Sequence, residues 1–291
     1  MQSVPEFSFR KEHLEFGFEV RELSYFLESS APSTREIDHR LRFYAVVFIT
    51  EGSGTHRVNF REYQYQPKDI LFIGKDQIHS WRKYSNVKGH ILFFTQDFIY
   101  QNQLTFSDLS YSYPYNSFLY SPKVSIANAT DHQALNSIVN LIQTEYQSPD
   151  SPFKKEIIQS LLRAFFLKIR MQSVAETKTV STKSVRDLFI RFQKAVDDNI
   201  SITRNVNEYC VILNTSYKEL NNACKALTSK TAKAVIDDII MSKAKRYLLD
   251  PDKNISLTAY MLGFAEPTNF TKFFRKQEGL GPKEFMSKIN G

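Results

Sequence analysis

The stretch ISLTAYMLGFAEPTNFTKFF, residues 255–274, interrupts an apolar helical pattern at Gly263 and resumes it after Pro267. Asn254 is a suitable N-cap for a first helix. The apolar residues on one side of this helix are Ile255, Ala259 and Leu262. Gly263 fits the left-handed position that ends a helix, and Phe264 is then expected to fold back onto the core. The pattern predicts a helix that stops at a tight turn.

A second helix is predicted to begin directly after this turn, with Glu266 as its N-cap and Pro267 in its first turn. Its apolar side is formed by Phe270, Phe273 and Phe274. Two helices joined by about three or four residues form a helix-turn-helix, whose second helix enters the DNA major groove. The opposite face offers donors, acceptors and positive charge for bases and phosphates. These candidate DNA-binding residues are Thr268, Asn269, Thr271, Lys272, Arg275 and Lys276.

The same arrangement occurs earlier in the chain, in NVNEYCVILNTSYKELNNACKAL, residues 205–227. A first helix is predicted around Tyr209, followed by a turn, the N-cap Ser216 and a second helix. The candidate DNA-binding residues of this second helix are Lys218, Asn221, Asn222 and Lys225. Residues 233–249 predict a linker helix about 25 Å long, at about 1.5 Å per residue. The second helix of each motif is called its reading helix. A linker helix of this length suits two reading helices on major-groove faces about 34 Å apart.

The composition is that of a soluble globular protein, with 42% hydrophobic and 24% charged residues. At 291 residues the chain is expected to form two domains. It has no apolar run of about 18 residues and no secretory signal, so we expect a cytoplasmic protein without membrane contact. The net charge is +7, and residues 184–291 carry 17 Lys and Arg against 12 Asp and Glu. This excess favours a polyanionic partner, although a solvated surface also explains it.

The first third of the chain predicts short strands. Apolar residues 43–49 precede a predicted turn at Glu51–Gly54, and a second turn at Pro67–Asp69 precedes a buried strand at Ile70–Ile73. Such strands without intervening helices indicate a sandwich or barrel. Helical spacing follows at residues 131–170, and the small, polar residues 171–184 predict a linker. Cys210 and Cys224 are expected to be buried thiols.

These features resemble the AraC/XylS family of bacterial transcription regulators. The residues that match the family's strongest motif are Ala259, Gly263-Phe264, Phe270, Phe274-Arg275-Lys276, Gly279, Pro282 and Phe285. Ala244-Lys245-Arg246 matches the family's linker helix. The strands are similar to its cupin-like sensor domain at Gly52, Pro67, Asp69 and His79. The resemblance implies a barrel that binds a small-molecule effector, and alternation in the strands suggests the ligand-binding residues Tyr44, Phe48, His79 and Trp81.

Two other classes of function remain open. A metal-dependent cupin-type enzyme would need clustered ligands, and the histidines to weigh are His39, His56, His79 and His90. The chain lacks the His-x-His pair that such a site contributes on one strand, so we predict no metal, no cofactor and no catalytic residue. A protein-binding scaffold would expose apolar side chains on the reading faces, where this chain has polar residues such as Asn222 and Lys272.

The sequence therefore predicts an α+β multidomain fold. An all-β cupin-like barrel with a helical dimerisation pair, residues 1–170, is followed by a linker, 171–184, and an all-α domain with two helix-turn-helix motifs, 185–291. The resemblance implies a sequence-specific activator, and the expected partners are double-stranded DNA, a small-molecule effector, RNA polymerase and a second copy of the chain. The predicted dimer stripe is Ile157, Leu161, Phe165 and Ile169, with packing against the chain's own barrel as the alternative.

Overall fold

The computed structural model describes residues 4–9, 16–29, 35–100, 111, 113–176, 183–250 and 252–290. The chain divides into two compact units, Pro5–Lys178 and Thr179–Gly291, with Met1–Val4 assigned to the second. Among the described helices, none combines the length and the apolar character that crossing a membrane requires.

The described part of the first unit contains one sheet of eight strands. Their bounds are β1 Glu6–Phe7, β2 Phe18–Glu22, β3 His39–Leu41, β4 Tyr44–Val58, β5 Arg61–Tyr65, β6 Asp69–Ile73, β7 Ile78–Phe94 and β8 Lys123–Ser125. The strand order is β1-β3-β7-β4-β6-β8, with β2 added to β7 and β5 to β4. The long strands β4 and β7 pair antiparallel and form the centre of the sheet.

The turn predicted at Glu51–Gly54 is wrong. Strand β4 continues through these residues, and its register against β7 shifts on both sides of Glu51. Gly52 has a φ of 80°, and a glycine in this conformation allows a bulge that bends a strand without ending it. The chain reverses instead at Asn59 and Phe60, which both have positive φ.

The two faces of the sheet have separate cores. One face packs against helices α3 (Ala129–Gln147) and α4 (Lys154–Glu176), and the other packs against α1 (Leu23–Ser29). Helix α2 (Gln96–Tyr100) follows β7. Successive strand residues point to opposite faces, so Val46 belongs to the core under α3 and α4 and Val47 to the core under α1.

The predicted helical pair is present, but its second helix is longer than expected. Helix α4 extends to Glu176, and α5 (Lys183–Asn199) begins inside the predicted linker. Polar residues can continue a helix when neither Pro nor Gly interrupts it. The predicted linker 171–184 is therefore helical at both ends, and the expected boundary at residue 170 falls within α4.

Three residues of the predicted dimer stripe pack in the chain's own core, and one of them, Leu161, is half-buried against it. Phe165 and Ile169 are fully buried against the sheet. Ile157 is 41% exposed, on the other side of α4. The alternative, in which α4 packs against its own domain, is confirmed for Leu161, Phe165 and Ile169.

The described part of the second unit is helical. After α5 its helices are α6 Val206–Leu213, α7 Tyr217–Thr228, α8 Ala232–Leu248, α9 Ile255–Met261, α10 Pro267–Glu278 and α11 Pro282–Asn290. The linker helix α8 has 17 residues and lies one residue earlier than predicted. Cys210 and Cys224 are free and buried, and burial raises the pKa of Cys224 to about 12. Both cysteines therefore have the expected packing role.

Candidate nucleic-acid interface and effector site

The tight turn between α9 and α10 is a Schellman motif. The N–H of Gly263 donates to the carbonyl of Tyr260, and the N–H of Phe264 donates to the carbonyl of Ala259, both at 3.0 Å. Gly263 has a φ of 73°, the left-handed conformation that this motif requires. The ring of Phe264 is buried and lies 5.3 Å from the ring of Phe270. The predicted stop is confirmed, and it holds α10 against α9.

Helix α10 buries Phe270 and Phe274 and presents the predicted DNA-binding residues on its other side. The exposed members of this set are Thr268, Asn269, Lys272, Arg275 and Lys276. Thr271 is half-buried, and its hydroxyl donates to the carbonyl of Pro267 at 3.0 Å. Within the described residues, Arg275 lies 3.6 Å from Glu284, whereas Lys272 and Lys276 form no ion pair. The positive charge of α10 is therefore available to an external anion.

Helix α7 begins with a capping box. The N–H of Glu219 donates to Ser216 Oγ at 3.2 Å, and the N–H of Ser216 donates to Glu219 Oε2 at 3.1 Å. Helix α6 is followed by its C-cap Asn214, which has a φ of 50°. The predicted turn and N-cap are confirmed. The exposed predicted DNA-binding residues on α7 are Lys218, Asn222 and Lys225.

Asn221 has a different position from the other predicted contacts on α7. It is half-buried, and its side-chain oxygen accepts the N–H of Ala232 at 3.1 Å. Since Ala232 is the first residue of α8, Asn221 caps the linker helix. This partner lies 11 residues away in the chain, outside the local pattern from which the exposed face was inferred.

Both ends of α8 are tied to a reading helix. Asn221 of α7 holds its N-terminal end, and at its other end Lys245 contacts Glu278, the last residue of α10, at 2.5 Å. The side of α8 between these ties is buried at Val235, Ile236, Ile239 and Ile240. These contacts fix the two reading helices relative to each other, as the DNA-binding interpretation requires.

A cluster of buried polar rings lies in the first unit, beside the core under α1. His56, Tyr65 and His79 are each at least 96% buried. His79 Nδ1 and His56 Nε2 are 3.2 Å apart and share a hydrogen bond. The ring of Trp81 lies 4.5 Å from that of His56 and 5.9 Å from that of Tyr65. The four side chains form one continuous group.

Among the residues that the structure describes, three polar atoms of this group have no hydrogen-bond partner: His56 Nδ1, Tyr65 Oη and His79 Nε2. Burial lowers the pKa of His56 to about 3 and that of His79 well below its usual value, so both imidazoles are neutral at physiological pH. Buried polar groups are nearly always satisfied by protein, water or ligand. The cluster therefore has hydrogen-bonding capacity left for water or for a small molecule with polar groups of its own.

Two family models match this chain. The AraC-like ligand binding domain matches residues 24–162, and the helix-turn-helix domain matches residues 209–288. The chain belongs to the AraC family. As a member, it is a transcription regulator with an N-terminal ligand-binding domain rich in β-strands and a C-terminal helix-turn-helix domain. The predicted family and fold class are confirmed.

Relatives of this AraC-family chain include proteins named HTH-type transcriptional activator RhaS. The protein from Pectobacterium carotovorum is 23% identical over 91% of this chain and 93% of its own length. The protein from Escherichia coli K12 is 20% identical over 91% of this chain and 92% of its own. Similar solved structures include ToxT from Vibrio cholerae, with a TM-score of 0.45, 15% identity and coverage of 94% of this chain and 100% of that one.

In the ligand-binding domain of this chain, the four predicted ligand-binding residues do not lie together. Tyr44 and Phe48 are fully buried in the core under α3 and α4, where Phe48 lies 6.2 Å from Phe165. His79 and Trp81 belong to the polar cluster near the opposite core. The four residues therefore do not line one cavity, because strand alternation alone cannot identify which face a residue occupies.

No feature of the sequence places Tyr65 in this cluster, and the sequence suggests His56 only as a candidate metal ligand. His56 pairs with Trp81 across β4 and β7 after a shift of register between Thr55 and His56. A register shift of this kind has no recognisable sequence signal. In the described part of the chain, no group of three or more His, Cys, Asp or Glu side chains is arranged to hold a metal ion.

Proposed function

We propose that this protein is a sequence-specific transcription activator that binds DNA through both helix-turn-helix units and is controlled by a small molecule in its N-terminal domain. The observation that carries the proposal is the pair of exposed polar faces on α7 and α10, joined by a helix that is fixed at both ends. The relatives named as activators support the direction of regulation. RNA polymerase is the further partner that the family resemblance implies.

Selection of duplexes from a random pool tests the DNA-binding part. The full chain should enrich a common sequence, and its affinity should fall steeply with salt, because phosphate contacts release counterions. The double variant Asn222→Ala, Lys272→Ala is the comparison. It removes two predicted DNA-binding side chains and leaves the packing residues of both reading helices unchanged. Equal affinity of the unmodified chain for selected and scrambled duplexes would reject sequence-specific binding.

The effector is proposed to bind at the cluster of His56, Tyr65, His79 and Trp81. Three polar atoms without a partner among the described residues, beside an aromatic ring, suit a small neutral molecule with hydroxyl groups. Thermal shifts of the full chain with a panel of monosaccharides, polyols and fatty acids test this class. A hydroxylated ligand should raise the melting temperature, and Tyr65→Phe should reduce the shift. A shift with fatty acids alone would contradict the proposed ligand class.

The outer side of α4 is proposed as the dimer interface, in place of the stripe predicted from the sequence. Exposed residues recur at alternating spacings of four and three along α4 and at the residue that precedes it: Phe153, Ile157, Ser160, Ala164, Leu167 and Met171. This is the spacing of a coiled-coil seam. Met171 is 73% exposed and Leu167 47% exposed. Contact with a second copy would remove this apolar stripe from water, and sedimentation equilibrium of the full chain tests the interface.

A further inference from the structure

The first turn of the reading helix α7 presents a fixed carboxylate. Glu219 Oε2 accepts three hydrogen bonds: from the N–H of Ser216 at 3.1 Å, from Ser216 Oγ at 3.0 Å and from Thr215 Oγ1 at 3.1 Å. Glu219 is nevertheless exposed to solvent. The hydrogen bonds from Ser216 and Thr215 hold the pKa of Glu219 below its usual value. Glu219 is therefore ionised and already ordered before any partner binds.

The position of this carboxylate determines what it can contact. A recognition helix directs its N-terminal residues towards base edges. Glu219 is the third residue of α7 and lies one turn before Asn222, on the same side of the helix. Phosphates surround the groove, and a carboxylate repels them. A complex that seats α7 in the groove brings this carboxylate towards base edges, where a hydrogen-bond donor suits it and an acceptor does not.

The major-groove edges of DNA contain few donors. Guanine presents two acceptors, thymine presents one acceptor and a methyl group, and adenine presents a donor beside an acceptor. Cytosine presents only its N4 amino group. In a base pair the cytosine donor has an acceptor on one side only, the O6 of its guanine partner, whereas the adenine donor lies between its own N7 and the O4 of thymine. A fixed carboxylate therefore favours cytosine, and it is repelled by guanine and thymine.

We infer that Glu219 is a specificity-determining residue of the first helix-turn-helix, which accepts a hydrogen bond from cytosine N4 and disfavours acceptor-bearing bases at the same position. The inference rests on the proposed DNA-binding function. The second unit differs at this point: the third residue of α10 is Asn269, and the N-cap Glu266 instead accepts a hydrogen bond from Thr268 Oγ1 at 3.1 Å. The two units would therefore read different bases.

Glu219→Gln is a discriminating variant, because a capping box accepts Gln as well as Glu. The variant keeps the length of the side chain and an oxygen acceptor but removes the charge and adds an amide donor. Ser216→Ala is the complementary variant, since it removes the hydroxyl of the box and leaves the carboxylate with two of its three hydrogen bonds, from the N–H of Ser216 and from Thr215 Oγ1. Glu208→Gln, an exposed carboxylate of α6, controls for the loss of one negative charge from the same unit.

The experiment uses the full chain and the duplex that it selects from a random pool. Each base pair is changed to the other three, and the dissociation constants of the unmodified chain and the three variants are measured at one salt concentration. Glu219→Gln should weaken the preference for cytosine at one position by about tenfold and increase affinity for random duplex. Ser216→Ala should lower the thermal stability but retain the cytosine preference, and Glu208→Gln should match the unmodified chain.

Two results would overturn the inference while leaving the proposed function standing. The first is a Glu219→Gln preference profile identical to that of the unmodified chain at every base pair. The second is the same change of profile in Ser216→Ala, since Glu219 would then act only through the cap. If the unmodified chain selects no sequence, both the inference and the proposed function fail.

Discussion

Gly263→Ala tests whether the turn between α9 and α10 depends on a close approach as well as on backbone conformation. A Cβ added at Gly263 would lie 2.5 Å from the carbonyl oxygen of Ile200 and 3.1 Å from that of Ser201. Both oxygens belong to backbone, which cannot rotate away as a side chain does. Gly279 is the matched control, because it has a similar φ of 82° but no atom within 4 Å of an added Cβ.

The two substitutions share one cost and differ in another. A non-glycine residue in the left-handed conformation costs about 1–2 kcal/mol, partly offset by the smaller entropy of the unfolded chain. We therefore expect Gly279→Ala to cost about 1 kcal/mol. Gly263→Ala must also move backbone by several tenths of an ångström, and overpacking of this kind adds about 1–3 kcal/mol. The expected total for Gly263→Ala is about 3 kcal/mol.

Hydrogen exchange of the full chain, resolved to peptides of α9 and α10, measures these costs locally. Exchange through local opening accelerates with the lost free energy, and about 1.4 kcal/mol corresponds to a factor of ten. The difference of about 2 kcal/mol predicts exchange about thirtyfold faster in Gly263→Ala than in Gly279→Ala. Equal rates in the two variants would refute the role assigned to the carbonyl of Ile200.

Three further predictions concern the DNA interface, the dimer and the buried histidines. Replacing Arg275 and Lys276 by alanine should weaken binding to selected and random duplexes alike and lower the salt slope by up to about two; an unchanged slope would contradict phosphate contact. Leu167→Glu should convert dimer to monomer in sedimentation equilibrium, whereas Thr144→Glu on α3 should leave the dimer intact. The pKa of His56 is about 3 in the folded chain and about 6.5 when unfolded, so its contribution to stability is complete above pH 6.5 and lost towards pH 3. Between pH 6.5 and 5 this loss is about 2 kcal/mol in denaturant titrations, and His56→Gln should remove that part of the pH dependence.

Much of the second unit could be predicted from the sequence, because its signals are local. The end of α9 depends on Gly263 and Phe264, whose hydrogen bonds reach back only to Tyr260 and Ala259. The start of α7 depends on Ser216 and the residue three positions later. A cap or a tight turn involves neighbours within about one helical turn. Such features can be predicted without knowledge of the rest of the fold.

Other features of the chain depend on partners that are distant in sequence. Bulges in β4 decide which strand residues share a face, so His56 meets Trp81 while Phe48 faces α4. Helix α4 is apolar on two sides, and only packing shows that Phe165 faces the sheet while Leu167 remains exposed. The residue sequence thus determined where the helices of the two helix-turn-helix motifs begin, turn and end, since those hydrogen bonds are local. The tertiary structure alone decided register and burial, since both depend on contacts between segments far apart in the chain.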